Sequence, residues 1–317
     1  MDNGKERLSF VIPCYNSQDT IRDVVAELKE EVRKRDGYEY EIILVCDGSK
    51  DRTWQVIAEM ADADSRIVAV NFSKNFGQAS ALMYAYRESR GDIVINLDDD
   101  GQMPVESIYD LVDAIHEGYD VVFGRYDTIH QHGWRNIGSW INYRMERTMI
   151  GLPEGIRPSS FWAGRRFIID EAAKYVGPYP YIAGLLLRVT KNLKNVPVKH
   201  RERASGQSGY SMRKLIRLWM NGFTAFSVMP LRAATVMGFA FAMIGIVFSV
   251  ILVIRKLINP SMIVGYTSTI VALLIFGGIQ MLMIGMLGEY VGRIYMSING
   301  TPQSIIRDKI DRRDKGE

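Results

Sequence analysis

The stretch Ile93-Val-Ile-Asn-Leu-Asp-Asp-Asp-Gly101 decides how most of this chain is to be read. Ile93–Leu97 is a short buried strand by its composition, and it runs straight into three adjacent carboxylates. Clustered like charges cost stability unless a cation neutralises them. Hard divalent cations such as Mg2+ or Mn2+ favour carboxylate oxygens and usually share them with substrate phosphates. On an extended backbone Asp98 and Asp100 project to one side and Asp99 to the other. Asp98 and Asp100 are therefore the candidate metal ligands. An acidic turn closed by Gly101 is the plain alternative, and the triplet alone does not decide between them.

Outward from this strand, strand-like and helix-like segments alternate. Ser9–Pro13, Glu41–Val45, Ile67–Asn71 and Val121–Phe123 read as further strands. Between them, Ile21, Val24, Val25, Leu28 and Val32 recur at helical spacing, with Ser17 or Asp19 placed to cap. Trp54–Met60, Ala79–Glu88 and about Val105–His116 are further helices. This βαβα order predicts an α/β domain with a mainly parallel sheet covered by helices on both faces. Ligands bind such sheets beyond the carboxyl ends of the strands. Polar residues gather there: Pro13, Tyr15 and Asn16 at the first strand, Asp47, Gly48 and Ser49 at the second, and the acidic triplet at the fourth.

Composition divides the 317 residues into two kinds of chain. Charges are spread throughout up to about Arg203, whereas between Ala233 and Leu287 only Arg255 and Lys256 are charged. The runs Ala233–Ile254 and Ser261–Leu287 each exceed the roughly 20 apolar residues that cross a bilayer. Arg255–Pro260 is short enough to join them as an antiparallel hairpin. Two buried core helices are the alternative, but nothing C-terminal would cover them. No intramembrane charge suggests ion or proton transport. Met1–Arg7 is polar and Leu8–Pro13 too short for a signal sequence. Lys and Arg gather outside the hairpin, at Arg213, Lys214, Arg217, Arg232, Arg293 and Arg307, so both termini are expected in the cytoplasm. Cys14 and Cys46 suggest no disulfide framework. A net charge of +3 is too small to indicate a nucleic-acid partner. The expected division is a catalytic domain over 1–205, an interfacial segment over 206–231, two transmembrane helices within 232–290 and a cytoplasmic tail over 291–317. In that tail, Arg307–Lys315 mixes charges like a solvated end.

The motifs occur together and in order. Phe10-Val-Ile-Pro-Cys-Tyr-Asn16, Cys46-Asp-Gly-Ser-Lys-Asp-Arg-Thr53, Asn75-Phe-Gly-Gln78 and Gly91-Asp92 precede Asp98-Asp-Asp100, with Gln102 and Pro104 just beyond. This set resembles family 2 glycosyltransferases of the GT-A (Rossmann-like) fold, and within them the polyprenyl-phosphate branch that includes dolichyl-phosphate mannose synthase. Arg203-Ala-Ser-Gly-Gln-Ser-Gly-Tyr210 and Gly288-Glu-Tyr-Val-Gly-Arg-Ile-Tyr295 extend the likeness to about residues 8–300. The resemblance implies inverting transfer of one sugar from a UDP- or GDP-sugar to a polyprenyl phosphate such as undecaprenyl phosphate. It implies that Pro13, Tyr15, Asn16, Asp47, Gly48, Ser49, Asn75, Gln78 and Asp99 line the nucleotide-sugar site, Asp47 accepting from the nucleobase. Asp98 and Asp100 would hold Mg2+ or Mn2+ on the diphosphate. Arg203, Ser208, Tyr210 and Arg213 would meet diphosphate or acceptor phosphate, a role that a guanidinium fork suits. A juxtamembrane basic anchor is the alternative for that segment. Relatives that form tetramers make a homo-oligomer one of the implied partners.

Three departures from the family pattern matter. Cys46 replaces the first of two common aspartates, and Gly209 replaces a common Lys. Pro158-Ser-Ser-Phe-Trp-Ala-Gly-Arg-Arg166 lacks the carboxylate that relatives often carry in this segment, where it has been considered a catalytic base. A lipid phosphate monoester, with its second pKa near ~6, is already largely ionised at neutral pH and can attack without a protein base. Positioning and charge neutralisation then suffice. A hydroxyl or glycolipid acceptor, or a nucleotide-sugar binder without catalysis, stays open as an alternative. A processive polysaccharide synthase would show Gln-x-x-Arg-Trp and more spans. Trp162 and Arg165 are the residues singled out for sugar specificity.

Leu215, Leu218, Trp219, Phe223 and Phe226 alternate with Arg213, Lys214 and Arg217, which suggests an interfacial amphipathic helix before the hairpin. An ordinary surface helix fits the same pattern. Gly238, Gly245, Gly277, Gly278 and Gly285 would permit close helix packing, within the hairpin or between copies. His130-Gln-His132 reads as loop, not as a metal pair; Arg125 and Arg135 lie where relatives have an acceptor loop.

Overall fold

The computed structural model describes residues 5–126, 147, 151–199, 229–259 and 265–315. Two compact units emerge: Met1–Leu215 together with Thr301–Glu317, and Ile216–Gly300.

The first unit is built on β1 (Glu6–Cys14), β2 (Tyr38–Cys46), β3 (Ile67–Phe72), β4 (Ile93–Asn96), β5 (Val121–Tyr126), β6 (Trp162–Arg165), β7 (Leu193–Val198) and β8 (Ile306–Ile310). They form one sheet in the order β7-β5-β6-β4-β1-β2-β3-β8. β4, β1, β2 and β3 are mutually parallel, as the alternation of segments predicts. β6 runs antiparallel between β4 and β5, and β7 is parallel to β5. The sheet is thus mainly parallel, with only β6 and β8 among its eight strands running against the rest.

The helices explain why the central strands are apolar at nearly every position. Leu8, Phe10, Ile12 and Cys14 of β1 and Ile42, Leu44 and Cys46 of β2 share a core with α1 (Ile21–Arg33), α2 (Thr53–Ala63) and α4 (Ile108–His116). The alternate residues Val11, Ile43 and Val45 point the other way and are equally buried. That second face carries α3 (Gln78–Glu88), which packs on β1 and β2, and then α5 (Arg166–Ala173), which packs on α3. Strands covered on both faces read as continuous apolar runs. A short α6 (Ile182–Val189) follows α5. Ile21, Val24, Val25, Leu28 and Val32 are buried as their spacing predicts. The expected cap differs: Thr20 holds the N-cap position without a side-chain cap bond, because its hydroxyl donates to the Asp99 carbonyl at 2.6 Å. Cys14 and Cys46 are register partners on β1 and β2, both buried and both free thiols.

The segment expected to end in solvent is instead part of the sheet. β8 pairs antiparallel with the edge of β3, Val70 opposite Lys309 and Asn71 opposite Asp308. Its charges found specific partners. Asn71 Nδ2 donates to Asp308 Oδ2 at 3.0 Å, Lys309 reaches Glu88 at 2.6 Å, and Arg312 pairs with Asp62. Arg313 is almost fully buried and bridges Glu41 at 2.6 Å and Asp311 at 2.7 Å. A buried guanidinium needs this degree of pairing.

The second unit holds α7 (Met229–Ile258) and α8 (Tyr266–Ile298). Two stretches, Ala234–Arg255 and Ile275–Ile298, are long and apolar enough to cross a membrane. The second helix runs past the expected end at Leu287, through Gly288 and Gly292, and stops before Gly300, which has a φ of +62°. An added Cβ at Gly238 would meet Met283 at 3.7 Å, whereas at Gly245, Gly277, Gly278 and Gly285 no described atom lies within 4 Å. Most of the interfacial segment over 206–231 lies outside the described residues.

Candidate active site

Because β4, β1 and β2 are adjacent and parallel, their carboxyl ends bring three loops to one place. A web of backbone-directed bonds locks the loops after β1 and β2. The Asn16 N–H donates to Ser49 Oγ at 3.1 Å, and Asn16 Oδ1 accepts from the Lys50 N–H at 3.0 Å. Asn16 has a φ of +53°, a conformation that Asn tolerates better than most residues. Ser17 N–H donates to Thr53 Oγ1 at 2.8 Å, and Arg52 N–H to Gln18 Oε1 at 2.9 Å. Pro13 is buried beneath these loops, while Tyr15 is 47 % exposed.

Asp47 is the pivot of the second loop. It is 2 % exposed. Its Oδ1 accepts from the Phe76 N–H at 2.7 Å and its Oδ2 from the Gly77 N–H at 2.8 Å. Asn75 Nδ2 donates back to the Asp47 carbonyl at 3.1 Å. Burial raises the Asp47 pKa against the pull of the two amides. Gly48 follows with a φ of +62°, and a Cβ there would stand 2.3 Å from the Lys74 carbonyl carbon and 2.4 Å from Asn75 N. Asp47 and Gly48 therefore shape the Asn75–Gln78 loop, with both carboxylate oxygens of Asp47 already engaged.

In the acidic turn after β4, where residues 99 and 100 have left the extended strand, the three carboxylates meet different partners. Asp99 Oδ2 accepts from the Tyr15 N–H at 2.8 Å, pinning the turn to the first loop. Asp98 Oδ1 accepts from Gln78 Nε2 at 2.8 Å. Asp100 Oδ1 accepts from the Gln102 N–H at 3.1 Å, and Gly101 has a φ of +72°. The Asp98 pKa is pushed up to about 6, first by burial and further by the charges of Asp100 and Asp99, against hydrogen bonds from Ser160 and Gln78. Burial, with Asp98 and Asp100 adding, pushes the Tyr126 phenol up to about 12. Asp98 and Asp100 are the carboxylates of this turn that could hold a divalent cation. Among the described residues no group of three or more His, Cys, Asp or Glu side chains forms a ready cage. A cation sharing two carboxylates with a diphosphate does not require one.

Of the two residues expected in the sugar pocket, one is buried beside the carboxyl end of β4 and the other lies at the amino end of that strand. Trp162 is 2 % exposed and packs on Tyr86 and Phe123 with ring centroids 5.9 and 6.4 Å away. Arg165 sits opposite Ile93, at the amino end of β4, and donates to the carbonyls of Tyr119 and Ile115. The antiparallel run of β6 is the reason: it carries residue 165 away from the strand ends where ligands bind. Ser160, Asn96 and Tyr126 are the neighbours of the acidic turn that the motifs did not flag. Asn96 alone carried a signal, as a polar residue inside an apolar strand. Arg203, Ser208, Tyr210, Arg213, His130, His132 and Arg135 lie outside the described residues.

Residues 9–172 match the family described as Glycosyl transferase family 2. An undecaprenyl-phosphate 4-deoxy-4-formamido-L-arabinose transferase of Edwardsiella ictaluri (strain 93-146) is 36 % identical over 315 residues, covering 96 % of this chain and 94 % of that protein. The protein of the same name from Klebsiella pneumoniae (strain 342) is 35 % identical, with 95 % and 93 % covered. Among solved structures, glucosyl-3-phosphoglycerate synthase from Mycobacterium tuberculosis in complex with Mn2+, uridine diphosphate and phosphoglyceric acid has a TM-score of 0.50 at 22 % identity, covering 67 % of this chain and 74 % of that one. That likeness concerns the fold. The chain belongs to glycosyl transferase family 2, within its polyprenyl-phosphate branch.

Proposed function

We propose that this enzyme transfers one sugar from a UDP- or GDP-sugar to a polyprenyl phosphate such as undecaprenyl phosphate, with inversion at the anomeric carbon. The observation that carries the reading is the cluster of three carboxylates at the meeting of three loops, where burial and mutual repulsion raise Asp98 to about 6. Two findings support it: relatives matched over nearly their whole length are named for undecaprenyl phosphate, and the chain holds two helices fit to cross a membrane.

Asp98 and Asp100 would hold Mg2+ or Mn2+, which when bound supplies neutralising charge for the departing diphosphate. Asp47, Gly48 and Asn75 set the wall of the nucleotide pocket, with Tyr15, Asn16 and Ser49 at its rim and Pro13 supporting them from beneath. Gln78 and Asp99 hold the acidic turn. Arg203, Ser208, Tyr210 and Arg213 are proposed to receive the phosphates. An oxygen of the acceptor phosphate attacks the anomeric carbon from the face opposite the diphosphate. The carbon–oxygen bond to the diphosphate breaks, and the nucleoside diphosphate leaves with the electron pair. No proton must be removed first, which suits a Pro158–Arg166 segment without a carboxylate. The basic flanks of the hairpin favour the catalytic unit and both termini on the cytoplasmic side. The open glycines of α7 and α8 suit packing against further copies in the membrane.

The test incubates the purified full chain with undecaprenyl phosphate, Mg2+ or Mn2+ and a panel of UDP- and GDP-sugars. Glycolipid and nucleoside diphosphate should form in equal amounts with one donor. Nucleoside diphosphate without glycolipid removes the lipid acceptor from the reading. Transfer to a hydroxyl acceptor alone removes the base-free mechanism.

A further inference from the structure

Beneath the acidic turn runs a polar chain that the fold does not require. Asn96 is the last residue of β4 and only 1 % exposed, flanked by Ile95 and Leu97, which are fully buried. An apolar residue there would avoid the cost of burying an amide. Asn96 instead uses both ends of its side chain. Its Oδ1 accepts from the hydroxyl of Tyr86 at 3.1 Å, itself 1 % exposed. Its Nδ2 donates to the Ser160 carbonyl at 2.6 Å. Register fixes the pairing, since Asn96 stands opposite Trp162 on β6 and Ser160 lies just before that strand. The Ser160 hydroxyl hydrogen-bonds the Asp98 carboxylate, whose Oδ1 also accepts from Gln78 at 2.8 Å. Ser160 is exposed, so its hydroxyl is on the open side of the site.

We propose that Ser160 and Asn96 are positioning residues for Asp98: Asn96, braced by Tyr86, fixes the backbone at Ser160, and the Ser160 hydroxyl with Gln78 fixes the orientation of the carboxylate that receives the cation. This rests on the reading of Asp98 and Asp100 as metal ligands. Groups that hydrogen-bond a metal ligand orient it, and their loss costs roughly 10- to 100-fold in metal affinity. The arrangement also gives the segment without a carboxylate a task, because a hydroxyl there donates to Asp98, whereas a second carboxylate would repel it.

The experiment titrates Mn2+ into the full-length protein with UDP or GDP present and reads bound metal by electron paramagnetic resonance. Thermal melting in EDTA serves as a check on folding. Ser160→Ala should weaken Mn2+ binding about tenfold or more with the melting temperature unchanged, and Ser160→Thr, which keeps the hydroxyl, should bind within about twofold of the parent. Asn96→Leu should weaken Mn2+ in the same direction. If that variant fails to fold, the Ser160 pair carries the test. Equal Mn2+ affinity in Ser160→Ala and the parent overturns the positioning role while leaving the metal reading intact. A parent protein that binds no Mn2+ with either nucleotide overturns both.

Discussion

The carboxyl ends of β2 and β4 lie on either side of β1, and each presents aspartate, but the two ends treat it in opposite ways. At β2, Asp47 is buried and each of its oxygens already accepts a backbone N–H. At β4, Asp98, Asp99 and Asp100 crowd together, and their mutual repulsion adds to burial in raising Asp98. One end uses negative charge to fix a loop. The other gathers negative charge where three loops meet. Aspartate at a strand end thus says little until its partners are counted.

Four measurements break or sharpen this contrast. The largest effect belongs to the β4 end. Asp100→Ala should lower metal-dependent transfer about a thousandfold, because the charge meeting the diphosphate loses a ligand. Its melting temperature without metal should hold or rise, since repulsion is relieved; a clear fall would make Asp100 structural. At the β2 end the order reverses. Gly48→Ala places a Cβ 2.3 Å from backbone in a left-handed conformation and should cost about 3 kcal/mol or more in chemical denaturation. Asp47→Ala strands two backbone amides and should cost about 2–3 kcal/mol. An Asp47→Ala protein of undiminished stability that had lost only nucleotide affinity would return Asp47 to the role of base reader. The smallest effect is pH dependence. Asp98 binds its proton more tightly folded, near 6, than its ordinary 3.8. The stability that protonation confers is full below about 3.8 and is lost as pH rises through about 6. Melting curves in EDTA should show this fall, and saturating Mn2+ should remove it. The same pH slope in Asp98→Asn would assign it to another group.

Much of this was legible in the sequence, and what was missed has a common cause. The apolar runs of β1 to β4 and the helical spacing of α1 announce themselves locally, as does the acidic turn. β6, reading Trp-Ala-Gly-Arg, and β8, reading Ile-Arg-Asp-Lys-Ile, have no such pattern; they are strands because distant strands offer an edge. The misplacement of Arg165 follows from β6, whose antiparallel direction no local signal gives. Ser160 meets Asp98 only through the β4–β6 register. Its neighbour in that chain, Asn96, was visible as an interruption of an apolar strand.

The pairing of β8 with β3 also sets an order on biosynthesis. Asn71 and Asp308, joined across those strands, are 237 residues apart in sequence. At ~5–20 residues per second a ribosome needs roughly ten to fifty seconds to span that interval. During that time β3 presents an unpaired edge, a template for wrong partners. The strand that covers it emerges only after both apolar helices have been made. Closure of the sheet is therefore a late event that follows synthesis of the hairpin, and a chain stalled before β8 keeps its edge open to chaperones and proteases.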